Sequence, residues 1–132
     1  MKIRKPFVND KDGQSLIEFA LVLPILLLVL FGITEFGRAI MVTNVLHTAS
    51  REGARLAAVS SVGDSLSVQG RVQEVLDAAN ITAKEITIQF FLDEKSVEVT
   101  VTTDFEVLSG GILDPFMGTF ELKGKTVMRY EG

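Results

Sequence analysis

An α+β fold class is predicted by three observations on this chain of 132 residues. An almost unbroken apolar run near the N-terminus passes into a stripe of apolar residues at helical spacing. A shorter stretch downstream repeats that spacing. Beyond Ile81 the period changes from helical to alternating. The architecture expected is a long transmembrane-plus-amphipathic helix, a second short helix and a three-stranded antiparallel sheet packed over them.

The long helix is justified first. No charged residue occurs from Phe19 to Thr34. That run covers about 24 Å at about 1.5 Å per residue, and Leu16, Ile17, Phe36 and Gly37 extend it toward the roughly 30 Å of a hydrocarbon core. A positive mean hydropathy fits one membrane-crossing segment joined to a polar remainder. Lys2, Arg4, Lys5 and Lys11 precede the run against Asp10 and Asp12. This excess of cations places the N-terminus in the cytoplasm and the bulk of the chain outside the cytoplasmic membrane. A cleavable secretory signal fits less well: no small-x-small site follows Phe31 closely, and the segment continues into an amphipathic helix.

Inside the run, Pro24 removes one backbone donor. It reads either as a tolerated kink or as a point where the helix partly melts when subunits pack. Gly32 and Gly37 permit close approach of helices. Past the run, Val42, Val45, Leu46, Ala49, Gly53, Leu56 and Ala57 form one apolar stripe ending near Val59. Arg38, Asn44, Arg51, Glu52 and Arg55 fall largely off it. Arg51, Glu52 and Arg55 could form intrahelical pairs of about 0.2–0.5 kcal/mol each. Gly53 and Ala54 suit close helix packing, and the flanking Glu52 and Arg55 are counted in the same packing segment.

The remaining elements follow in order. Ser60 to Asp64, with Gly63, is a polar break. Val68, Val72, Val75, Leu76 and Ala79 share a face of the second helix, with Asn80 as a left-handed stop, and the natural docking site of that face is the stripe. Ile86, Ile88, Phe90 and Leu92 share a strand face from which Thr87 and Gln89 point away. Asp93 to Ser96 reads as a turn, and Val97, Val99 and Val101 begin a second strand extending toward Val107. Ser109 to Gly111 and Asp114 to Gly118 form an irregular connection. There, Phe116 and Met117 are either an exposed contact for a partner or a buried plug. A last strand runs from Thr119 to about Tyr130, interrupted near Gly124.

Composition excludes several function classes. A formal net charge of −4, with basic residues scattered among acids, argues against a nucleic-acid partner. The absence of cysteine excludes disulfides, thiolate metal sites and cysteine nucleophiles. His47 is the single histidine and reads as a surface or packing residue. No catalytic set, metal cluster or phosphate loop is legible, so neither an enzyme nor a cofactor is expected.

The most telling residue is an acid at the edge of the apolar run. Glu18 stands in Gly13-Gln14-Ser15-Leu16-Ile17-Glu18-Phe19-Ala20-Leu21-Val22-Leu23-Pro24. A carboxylate costs roughly 2.5–3.5 kcal/mol at the centre of a span and less toward its edge, so it calls for a cationic partner. Gly13 and Gln14, followed by Glu18, resemble the processing site of type IV prepilins, which a membrane aspartyl peptidase cuts after the glycine. The wider string resembles the TadE-like minor pilins and pseudopilins of tight-adherence (Tad, or Flp) pilus systems. Ala49-Ser50-Arg51-Glu52-Gly53-Ala54-Arg55 is similar to the Glu-Gly-Ala-Arg segment of that family. Together these motifs cover roughly residues 13–58.

The resemblance implies a type IV pilin-like fold divided into a cytoplasmic leader 1–13, a membrane and amphipathic helix 14–60 and an extracytoplasmic head 61–132. It implies processing at Gly13 and Gln14 and a role in assembly for Glu18 and Pro24. The partners implied are a prepilin peptidase, other pilin subunits, an inner-membrane assembly platform and the lipid bilayer. Cleavage would expose an α-amine with a reference pKa near 7.7–8.0, about one helical turn from Glu18, and the helix N-terminus would favour the charged acid. In a filament the amine of a neighbouring subunit could serve instead. Cleavage would also remove the charged leader, which resists passage through lipid. The competing expectation is a permanent single-pass anchor whose outer head binds a partner.

Overall fold

The computed structural model describes residues 10–108 and 118–130. The leader cations Lys2, Arg4 and Lys5, the connection 109–117 with Phe116 and Met117, and residues 131–132 lie outside the described residues. Five elements follow in order: α1 (Asp10–Val59), α2 (Ser65–Ala78), β1 (Glu85–Phe91), β2 (Ser96–Phe105) and β3 (Phe120–Arg129). This is the α+β arrangement that the sequence predicts. The chain divides into two compact units, Met1–Thr34 and Glu35–Gly132.

In the first unit, α1 carries large apolar side chains on every side, and Leu16, Phe19, Leu21, Ile25, Leu28 and Phe31 are all exposed. A helix apolar all round and unburied has the length and composition to cross a membrane, which fits a single-pass membrane protein. Helix α1 runs unbroken through Pro24.

In the second unit, the rest of α1 joins α2 and the sheet around one core. Leu46, Ala49, Ala54 and Ala57 of α1 meet Val68, Val72 and Leu76 of α2 and Val97, Val99 and Val101 of β2, all buried. Ala54, expected to pack closely, is fully buried in the α1 seam, and so is Ser50, which was not on the expected stripe: a small side chain can be buried on a helix without announcing itself as hydrophobic.

Local signals set the helix ends. Gly63 takes a positive φ of 99° in the break after α1. Asp64 caps α2, its Oδ1 accepting from the Ser67 amide at 3.4 Å. At the other end Asn80 takes the left-handed conformation, φ 55°. Its amide donates to Asp77 O at 3.0 Å while the Ile81 amide donates to Leu76 O at 2.9 Å, the paired bonds of a Schellman stop.

The sheet is a meander in the order β1-β2-β3, with both pairs antiparallel. Ile86, Ile88 and Phe90 share the inner face with Val97, Val99 and Val101. Leu92 does not join them; it lies in the turn and is exposed, since β1 ends at Phe91. Ser96 opens β2 rather than closing the turn, because Lys95 takes a positive φ of 49° and reverses the chain one residue earlier. Strand β2 stops at Phe105, short of Val107. Strand β3 is continuous through Gly124, which pairs with Val101. The expected interruption is absent because the missing side chain makes room for α1 instead of breaking the ladder.

Candidate functional site

The residues expected to serve processing and assembly, Gly13, Gln14, Glu18 and Pro24, lie on the first unit. Gly13 sits inside α1, three residues after its start at Asp10. A Cβ there would meet nothing within 4 Å, so chain packing gives no reason for a glycine that weakens the helix by about 1 kcal/mol relative to alanine. The Gln14 amide Nε2 donates to Glu18 Oε1 at 3.4 Å across one turn, and both residues are exposed among apolar neighbours. Among the described residues α1 already runs from Asp10, which puts Glu18 about 12 Å along the axis from that residue. The helix-end argument for its charge therefore applies to a chain starting at Gln14. Pro24 lies further along the same exposed surface.

The second motif behaves differently. Gly53 lies at the junction of all three layers: an added Cβ would meet Val72 Cγ2 of α2 at 2.5 Å and Val99 Cγ1 of β2 at 3.3 Å. Ala54 is fully buried beside it. Glu52 does not pair within α1 as expected. Its Oε2 reaches Arg71 Nη2 of α2 at 3.4 Å, and Arg71 also holds Glu74 at 2.8 Å. The Arg71 guanidinium is raised above its ordinary value, first by the hydrogen bond to Glu74, then by that carboxylate's charge and the bond to Glu52. Arg51 and Arg55 are exposed and make no ion pair among the described residues. Thus Glu52, Gly53 and Ala54 hold the fold together, while the arginines face solvent.

A cluster that sequence reasoning passed over opens the second unit. Glu35 and Arg38 form an ion pair at 3.1 Å on adjacent turns of α1. The Arg38 guanidinium lies 4.4 Å over the Phe105 ring centroid, a cation–π contact, and its Nη2 donates to the Glu106 carbonyl. Glu35 Oε1 accepts from the Leu108 amide at 3.2 Å. One acid and one base thereby fasten the chain after β2 to α1. The signal in the sequence was an opposite-charge pair three residues apart where the apolar run ends.

The family model described as TadE-like protein matches residues 13–55, a segment that holds Gly13, Glu18, Pro24 and the Glu52–Arg55 motif. Neither the curated proteins nor the solved structures include a match to this chain. From residue 13 to residue 55 the chain is similar to the TadE-like family, the Tad pilus-associated group that its first motifs resemble.

Proposed function

We propose that this protein is a minor pilin or pseudopilin: a non-enzymatic structural subunit held in the cytoplasmic membrane, with its N-terminus inside and its folded unit outside. A prepilin peptidase cuts it after Gly13, and it joins other pilin subunits on an inner-membrane platform to build a Tad-type pilus for adhesion or secretion. The observation that supports this best is Glu18, an exposed carboxylate at the edge of a helical run that is apolar on every side. In a lone membrane anchor that acid only adds cost; in a polymer of cut subunits it faces α-amines. The glycine at position 13, which packing does not require, agrees with recognition by a peptidase.

The test is the first residue of the mature protein made beside a prepilin peptidase. A chain that begins at Gln14 and is recovered in sheared fibres supports the reading. A full-length chain confined to membranes supports the permanent anchor instead.

A further inference from the structure

The end of the second unit that joins the apolar run carries large apolar side chains that its own fold leaves bare. A peptide bond links Thr34 to Glu35, so the turn from Glu35 to Arg38 follows the last residue of that run directly in the chain. On this turn Phe36 is 70% exposed. Leu108 is 71% exposed, and its amide is bound to Glu35. Phe120 is 49% exposed and pairs in the ladder with Phe105, the ring under the Arg38 guanidinium. Three separate elements therefore bring bare apolar side chains to one end of the unit.

Most charges at this end are paired: Glu35 with Arg38, which also donates to the Glu106 carbonyl, and Lys84 with both Asp104 and Glu121, while the exposed Glu106 side chain borders the patch. The occupant of the patch is indicated by connectivity: the surface that the chain itself brings to Glu35 is the edge of the bilayer crossed by the apolar run.

We propose that this end of the second unit makes a second membrane contact, with Phe36, Leu108 and Phe120 seated in the interfacial layer of that bilayer. The Glu35–Arg38 pair is the positioning device, since it holds the chain after β2 to α1 at the lipid surface. The contact rests on the membrane reading proposed above. It restricts the tilt of the sheet on the membrane before any assembly takes place.

The absence of cysteine makes the test direct. Full-length Leu108→Cys, Phe120→Cys, Asp93→Cys and Leu26→Cys variants are each labelled with the same environment-sensitive fluorophore in vesicles of phosphatidylcholine and phosphatidylglycerol. The Asp93 probe, in the turn at the opposite end of β2, measures any tendency of the dye itself to enter lipid. Lipids bearing a shallow nitroxide are expected to quench the Leu108 and Phe120 probes several-fold more than the Asp93 probe, while a deep nitroxide quenches Leu26. Quenching at Leu26 with Leu108 and Phe120 equal to Asp93 and open to aqueous iodide overturns the contact and leaves the span intact. Shielding of both from iodide without quenching by nitroxide lipids assigns the patch to another protein copy and overturns the lipid contact. An unquenched Leu26 probe overturns the span and the contact together.

Discussion

Gly124 of β3 lies directly against the backbone of Leu46 in α1. A Cβ at Gly124 would meet the Leu46 carbonyl group and, at 2.7 Å, the backbone nitrogen of His47. Helix and strand therefore touch main chain to main chain, and no side-chain rotation can make room. Gly124→Ala is expected to destabilise the second unit by about 3 kcal/mol, the upper part of the usual range for overpacking. Tyr130 is the only tyrosine of a tryptophan-free chain and is buried, so its emission during urea unfolding in detergent reports this unit. An unchanged midpoint would mean that β3 does not approach α1 so closely.

Gly53 should respond more mildly, although it is just as buried. Its nearest obstacles are the methyls of Val72 and Val99, which can shift or rotate. Alanine also gains about 1 kcal/mol of helix propensity over glycine, offsetting part of the crowding. Gly53→Ala is expected to cost no more than about 1 kcal/mol, and Gly53→Leu about 3 kcal/mol. The order Gly53→Ala, Gly124→Ala in rising cost is the discriminating result by the same unfolding assay.

Ser50 and Thr126 join α1 to β3 through a hydroxyl pair at 2.7 Å. Since Ser50 Oγ donates to the His47 carbonyl at 3.0 Å, the Thr126 hydroxyl donates to Ser50. Ser50→Ala removes that acceptor and should cost about 1–2 kcal/mol. Adding Thr126→Val removes the stranded donor, so the double variant should lose less than the sum of the single ones. Strict additivity in a double-mutant cycle would show that the two hydroxyls act independently.

Lys84 pairs with Asp104 at 3.0 Å and Glu121 at 3.1 Å. These partners raise its ammonium above the ordinary lysine value of 10.5, the hydrogen bond to Asp104 contributing most. A group raised on folding contributes stability that is fully present below its unfolded pKa and is lost as pH climbs through its folded one. The stability difference between the native chain and Lys84→Met should thus stay level from about pH 6 to about pH 10, where both partner carboxylates are ionised, and shrink above it. Urea midpoints followed by circular dichroism across that window check the sign; a difference that grows with pH would contradict it.

Position 13 separates the functional readings without disturbing the fold. Because nothing lies within 4 Å of a Cβ there, Gly13→Ala should cause no crowding and strengthen the helix by at most about 1 kcal/mol, while blocking cleavage by the peptidase. Mass spectrometry of membranes is expected to find the intact precursor and no chain beginning at Gln14. Normal processing of the variant would remove the case for a cut at this glycine.

Hydrophobic spacing determined the two helices and the inner faces of β1 and β2, and asparagine's tolerance of the left-handed conformation determined the end of α2 at Asn80, because burial and backbone conformation are imposed residue by residue along the chain. The string around Gly13 and Glu18 was legible for the same reason, being contiguous. Tertiary structure alone decided which small residues are crowded. Gly13 and Gly124 look alike as letters, yet one faces open space and the other a helix backbone about 80 residues away, as close packing requires. It likewise sent Glu52 to Arg71 instead of to its own helix and drew Arg38 onto Phe105, since a charged side chain takes whichever partner the fold brings within reach.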